Sequence, residues 1–153
     1  MFTAQFALKL RRVVSGGDCF VGVRDSETLL VVTDKKLDGH RLTLSIRHDN
    51  GYYVIDDDGA AFAHLSHGLN DFSIDQCFEV LYLHAVREGM TVMNDARLQR
   101  AVPMGVPPQQ FSDAHYRFLA EAVNSFTCRV SRVVMAPDIY AQRVHATSSK
   151  AYH

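Results

Sequence analysis

The chain is poor in most features that announce a function. It has no tryptophan and only three cysteines, Cys19, Cys77 and Cys128, dispersed and without a CxxC pair. That excludes a disulfide framework and a zinc finger and fits reduced thiols in a cytoplasmic protein. Cys77 and Cys128 fall on predicted helices and Cys19 on a predicted strand. Apolar surroundings raise a thiol pKa, so each reads as a buried structural cysteine rather than a nucleophile. No apolar run approaches the roughly 20 residues of a membrane helix. The amino-terminal MFTAQFALKLRR lacks the basic-then-apolar order of a signal peptide, so a soluble, cytoplasmic protein with no membrane partner is expected. GxSxG, HExxH, P-loop and GxGxxG are all absent, and Gly16-Gly17 alone is too little for a phosphate loop. Charge is balanced too: 16 Lys and Arg against 17 Asp and Glu give a formal net charge of −1. The basic residues (Arg11, Arg12, Lys35, Lys36, Arg129, Arg132 and Arg143) are dispersed and not interleaved with aromatics, which argues against a nucleic-acid partner.

What is present describes a fold. A hydrophobic fraction of 47% over 153 residues supports a real core. The organising stretch is residues 41–70. Leu42, Leu44 and Ile46 alternate with Arg41, Thr43, Ser45 and Arg47, the period-two pattern of a half-buried strand. Asn50-Gly51 follows, the pair that best tolerates the two positive φ angles of a type I′ turn. A two-residue loop there sets Asp49 opposite Tyr52, His48 opposite Tyr53 and Ile46 opposite Ile55. The second strand ends at Asp56, Asp57, Asp58 and Gly59, with Asp58 placed to cap a short helix carrying Phe62, Leu65 and Leu69 on one stripe and ending near Gly68.

Upstream, residues 2–14 fit a helix stopped by Gly16-Gly17. Residues 19–23 and 28–33 suggest a hairpin, and residues 34–39 a charged loop. Downstream, Ser73 and Gln76 have capping-box spacing ahead of a helix whose stripe is Ile74, Cys77, Phe78, Leu81 and Ala85, widened by Val80 and Leu83. Gly89 closes it, and a short hairpin turns around Asn94-Asp95. Residues 103–108, with three prolines and one glycine, read as a linker. Ser112 then caps a long helix with Tyr116, Leu119, Ala122, Val123 and Phe126 on its apolar side. The linker leaves that helix free to dock on its own domain or to exchange with a second copy. The expected organisation is an α+β domain over residues 1–136, an antiparallel sheet of hairpins backed by helices with a long C-terminal helix, followed by a loosely ordered tail at 137–153.

Three groups of residues could carry chemistry. Asp56, Asp57 and Asp58 could hold a divalent cation through oxygen ligands, with Lys35, Lys36 and Asp38 as the nearest candidates to complete a nuclease-like site. Turn and cap chemistry alone also accounts for them. His64 and His67, three apart on the short helix, could share a metal with His40, His48 or an aspartate, although they lie off the Leu65 stripe on a side expected to face solvent. Asp38, Asp57, Asp58, His64 and His67 are the candidate binding residues.

Thr33, Leu37, Asp38, Leu42, Leu44, Asp57, Asp58, Gly59, Leu65 and Gly68 together resemble the bacterial and phage family called domain of unknown function eighteen-twenty-eight, over about residues 28–126. The chain carries Asp34 and Lys35 where that family has a proline and an aromatic. The resemblance implies an origin in bacteria, phage or a mobile element. The family has no established activity, so it implies no mechanism. The sequence is therefore read as a non-enzymatic protein-binding or regulatory module, such as an inhibitor of a host factor, with an unidentified protein partner and no cofactor. The alternative is a metal-dependent hydrolase or nuclease centred on Asp56, Asp57 and Asp58, with His64. A homodimer through the helix over 112–134 is a further expectation.

Overall fold

The central hairpin follows from its turn. In the computed structural model, which describes residues 1–14 and 18–151 and side chains as far as residue 135, Asn50 and Gly51 take φ of 48° and 79°. These two positive values twist the chain so that β3 (His40–Asp49) and β4 (Tyr52–Asp56) return on each other without splaying. Asp49 faces Tyr52, His48 faces Tyr53 and Ile46 faces Ile55, the expected register.

The stretch read as a charged loop is instead strand. β2 (Thr28–Leu37) runs through Asp34, Lys35 and Lys36 and turns back into β3 at Asp38-Gly39, whose φ angles are 54° and 79°. Asp-Gly is the same turn chemistry as Asn-Gly. Three charged residues hid it, and they are tolerated because this end of the hairpin is exposed. The pairing slips between Val32 and Lys36. β1 (Phe20–Asp25), β5 (Thr91–Val92) and β6 (Leu98–Pro103) complete an antiparallel sheet in the order β1-β2-β3-β4-β6-β5. One face presents Leu29, Val31, Leu42, Leu44, Ile46, Tyr53, Ile55 and Leu98, all buried. On the other face Leu30, Val32, Thr43, Ser45 and Arg47 are only half-buried.

Helices cover the buried face. α1 (Ala4–Val13) starts where the Thr3 hydroxyl accepts from the Phe6 amide at 3.1 Å and buries Phe6, Ala7 and Leu10. Its expected stop, Gly16-Gly17, lies outside the described residues. α2 (Ala60–Gly68) buries Ala61 and Leu65. α3 (Ile74–Arg87) opens on the expected capping box: the Gln76 amide donates to the Ser73 hydroxyl, and the Ser73 amide donates to the Gln76 side chain. It closes at Gly89, with φ of 73°. α4 (Asp113–Ala151) begins where the Ser112 carbonyl accepts from the Tyr116 amide at 3.1 Å. The loose tail expected over 137–153 falls on residues whose side chains lie outside the described set.

The proline-rich linker is pinned. β6 includes Pro103, the Met104 amide donates to the Gly51 carbonyl, and the Tyr53 hydroxyl donates to the Val106 carbonyl at 2.5 Å. Held there, Phe111 joins Phe6 and Tyr116 in a ring cluster with centroids 4.9–5.1 Å apart. α4 consequently docks on its own domain, burying Leu119, Val123, Phe126, Val130 and Val133 completely. No described helix is long and apolar enough to cross a membrane.

Candidate functional site

The three consecutive aspartates diverge, because neighbouring residues at a strand end point to opposite faces. Asp56 projects onto the open sheet face beside its register partners Ser45 and Gln99. It is buried, and its two oxygens accept from the Asp58 amide at 2.7 Å, the Gln99 amide group at 2.6 Å and the Arg97 guanidinium at 2.7 Å. Asp57 turns inward and is fully buried. Its carboxylate accepts from three backbone amides, those of Gly59 at 2.9 Å, Ala61 at 3.0 Å and Leu98 at 2.9 Å. Burial outweighs those three donors and pushes its pKa up to about 6.

The helix cap therefore belongs to Asp57, where the sequence suggested Asp58. Asp58 has φ of 54° and no capping bond. It accepts from the Ser45 hydroxyl at 3.2 Å and lies 3.8 Å from Arg24. The left-handed turn through Asp58 and Gly59 brings the Asp57 oxygens back over the first amides of α2. Thus Asp56 and Asp57 are engaged in holding β4, β6 and α2 together. Among the described residues, no three histidine, cysteine, aspartate or glutamate side chains converge as a metal-holding group.

The other candidate residues do meet. His64 Nδ1 lies 3.0 Å from one Asp38 oxygen and His67 Nδ1 lies 3.7 Å from the other, so α2 is clipped to the β2–β3 turn. The His64 contact is close but poorly aligned for a hydrogen bond, and the atom is otherwise without a partner. Its side chain is about one-quarter exposed, at 26%, rather than freely solvated. Of the candidate binding set, the structure thus brings together Asp38, His64 and His67, and separates Asp57, which turns inward, from Asp58, which faces Ser45 and Arg24. Arg97 and Gln99, the partners of Asp56, and Arg24 and Ser45, those of Asp58, carry no sequence signal, since only the strand register brings them near.

Among the thiols, Cys19 and Cys77 are buried and their pKa values are pushed up by desolvation. Cys128 is exposed, contrary to the sequence reading: α4 buries Phe126, Thr127 and Val130 and turns Cys128 away.

A different surface stands out on α3. Its apolar residues occupy more of the helix circumference than one packing face can cover. Cys77, Val80, Leu81 and Ala85 go inward. Ile74 (74% exposed), Tyr82 (54%), Val86 (51%) and Leu83 (43%) stay outside, with Phe78 half-buried at the border. The expected core role of Ile74 and Leu83 is corrected accordingly. Ile74, Phe78, Tyr82 and Val86 recur at i, i+4, i+8 and i+12 along one side of the helix.

No family model matches this chain, and neither does any curated protein or solved structure.

Proposed function

We propose that this chain is a non-enzymatic protein-binding module that acts as a regulator or inhibitor of a host factor in a bacterial or phage setting, and that it docks through the outer face of α3. The row of exposed Ile74, Tyr82 and Val86, joined by half-buried Phe78, carries this reading. Scattered exposed apolar residues need no explanation, but a contiguous row including an aromatic is the composition of an interface core. Asp75 and Glu79 on the exposed side supply a polar rim. The partner this fits presents an apolar groove or helix face bordered by basic groups. The bacterial or phage setting rests on the resemblance over residues 28–126.

Capture from a bacterial lysate with the wild-type chain, followed by a high-salt wash that spares apolar contacts, should retain one stoichiometric protein. The same capture with Tyr82→Asp and Val86→Asp together should lose it, because burying a charge in an interface core costs several kcal/mol. Retention of the same partner by the variant, or an empty column from the wild type, would sink the proposal.

A further inference from the structure

α1 and α4 lie side by side, with Phe6 and Tyr116 in ring contact at 5.0 Å. Two hollows open along this seam, and Lys9 and Tyr116 line both. One, of about 330 Å³, is bounded by Lys9, Arg12 and Val13 of α1 and by Asp113, Tyr116 and Arg117 of α4. Three cations there face a single carboxylate, a surplus of two positive charges. Among the described residues, Lys9, Arg12 and Arg117 are in none of the ion pairs. Lys9 instead holds its ammonium 5.9 Å above the centre of the Tyr116 ring. The first turn of α4 adds its positive dipole end to the same place. The second hollow, of about 270 Å³, has Phe6, Phe111 and Pro108 as apolar wall and Thr3, Gln5 and Gln109 as hydrogen-bonding groups.

Like charges gathered without counter-charges repel one another, and a ligand of opposite sign relieves that repulsion. A monocarboxylate would leave one charge over. A phosphate monoester carries about −1.5 to −2 at neutral pH and matches the surplus. Its oxygens also suit the planar forks of two guanidinium groups better than a single point charge would. The cation-lined hollow accounts for a head group, and the hollow beside it, with Phe6, Phe111 and Tyr116 in its wall, accounts for a body.

We propose that the α1–α4 seam binds a small phosphate monoester, its head held by Lys9, Arg12 and Arg117 and its planar organic body lying against Tyr116 toward Phe6 and Phe111. The site is on elements other than the α3 docking face and does not depend on it.

The test is calorimetric titration of the full chain at low salt with phenyl phosphate, adenosine monophosphate and inorganic phosphate. At least one ester should bind saturably, one to one, and more tightly than inorganic phosphate. Arg12→Gln with Arg117→Gln should weaken it at least about tenfold. Both residues are exposed, so the fold should survive, and circular dichroism checks this. Arg24→Gln with Arg41→Gln, which removes two exposed cations of the sheet, should leave binding unchanged. The site is overturned if neither ester saturates at millimolar concentration, if the Arg12–Arg117 variant binds as well as wild type, or if the sheet variant weakens equally. Inorganic phosphate binding as tightly as the esters would overturn the role given to the aromatic hollow.

Discussion

Asp57 shows how one side chain can tie a fold together and make it sensitive to pH. It joins the end of β4 to the first turn of α2 and, through Leu98, to β6. Its pKa is raised from 3.8 to about 6, with burial the larger cause and the three amide donors opposing it. A carboxyl that binds its proton more tightly folded than unfolded contributes stability that is full below about pH 4 and is lost as pH rises to about 6. The contribution is on the order of 3 kcal/mol across that window. Other carboxylates act in the opposite sense: Glu88 is held low mainly by its Arg132 partner and Asp95 by Arg97. The measurement is therefore a comparison of chemical denaturation from pH 4 to pH 8 in wild type and Asp57→Asn. The wild type should lose stability relative to the variant between about pH 4 and 6, and the difference should be flat above that. Parallel pH profiles would show that folding leaves the Asp57 pKa unshifted.

Among the elements, local chemistry written in adjacent residues was the most legible. The Ser73–Gln76 capping box forms as read, and Ser73→Ala should cost about 1 kcal/mol, seen as a lower Tm with an unchanged spectrum. A loss within error of zero would mean that packing of Cys77 and Leu81 alone fixes where α3 begins. The Asn50-Gly51 hairpin and its register were legible for the same reason, since turn and alternation agree. Asp38-Gly39 was equally explicit chemically but was masked by Asp34, Lys35 and Lys36, which resemble a loop because they occupy the exposed end of a long hairpin. The aspartate turn is legible in the sequence but the role of each carboxylate is not, because which one caps α2 depends on the left-handed backbone at Asp58 and Gly59. The α3 surface was illegible for a different reason. Periodicity shows that a helix has more apolar surface than one face can use, but only packing decides that Val80 goes in while Tyr82 and Val86 stay out.

For the whole molecule, the decisive question is whether α4 is an appendage or part of the core. A proline-rich linker suggested that it could separate and pair with a second copy. Its apolar side is instead occupied within the chain, and Phe118 and Met135, at 50% and 66% exposed, are the large apolar side chains it leaves to solvent among the described residues. Within 112–134, Phe118 is the large apolar side chain left exposed, so a homodimer there that keeps this docking has Phe118 as its exposed apolar contact. Leu119, Val123, Phe126, Val130 and Val133 are each at 0% exposure. Burial of such side chains contributes roughly 1.5–3 kcal/mol each, so together they rival the about 5–15 kcal/mol that separates a folded domain from its unfolded chain. A chain ending at Phe111 should therefore lack a folded baseline, giving no cooperative denaturation transition and strong binding of an apolar dye, whereas the intact chain should unfold in a single transition. A truncated chain that still melts cooperatively would show that the sheet and the first three helices suffice, and would return α4 to the role of an exchangeable arm.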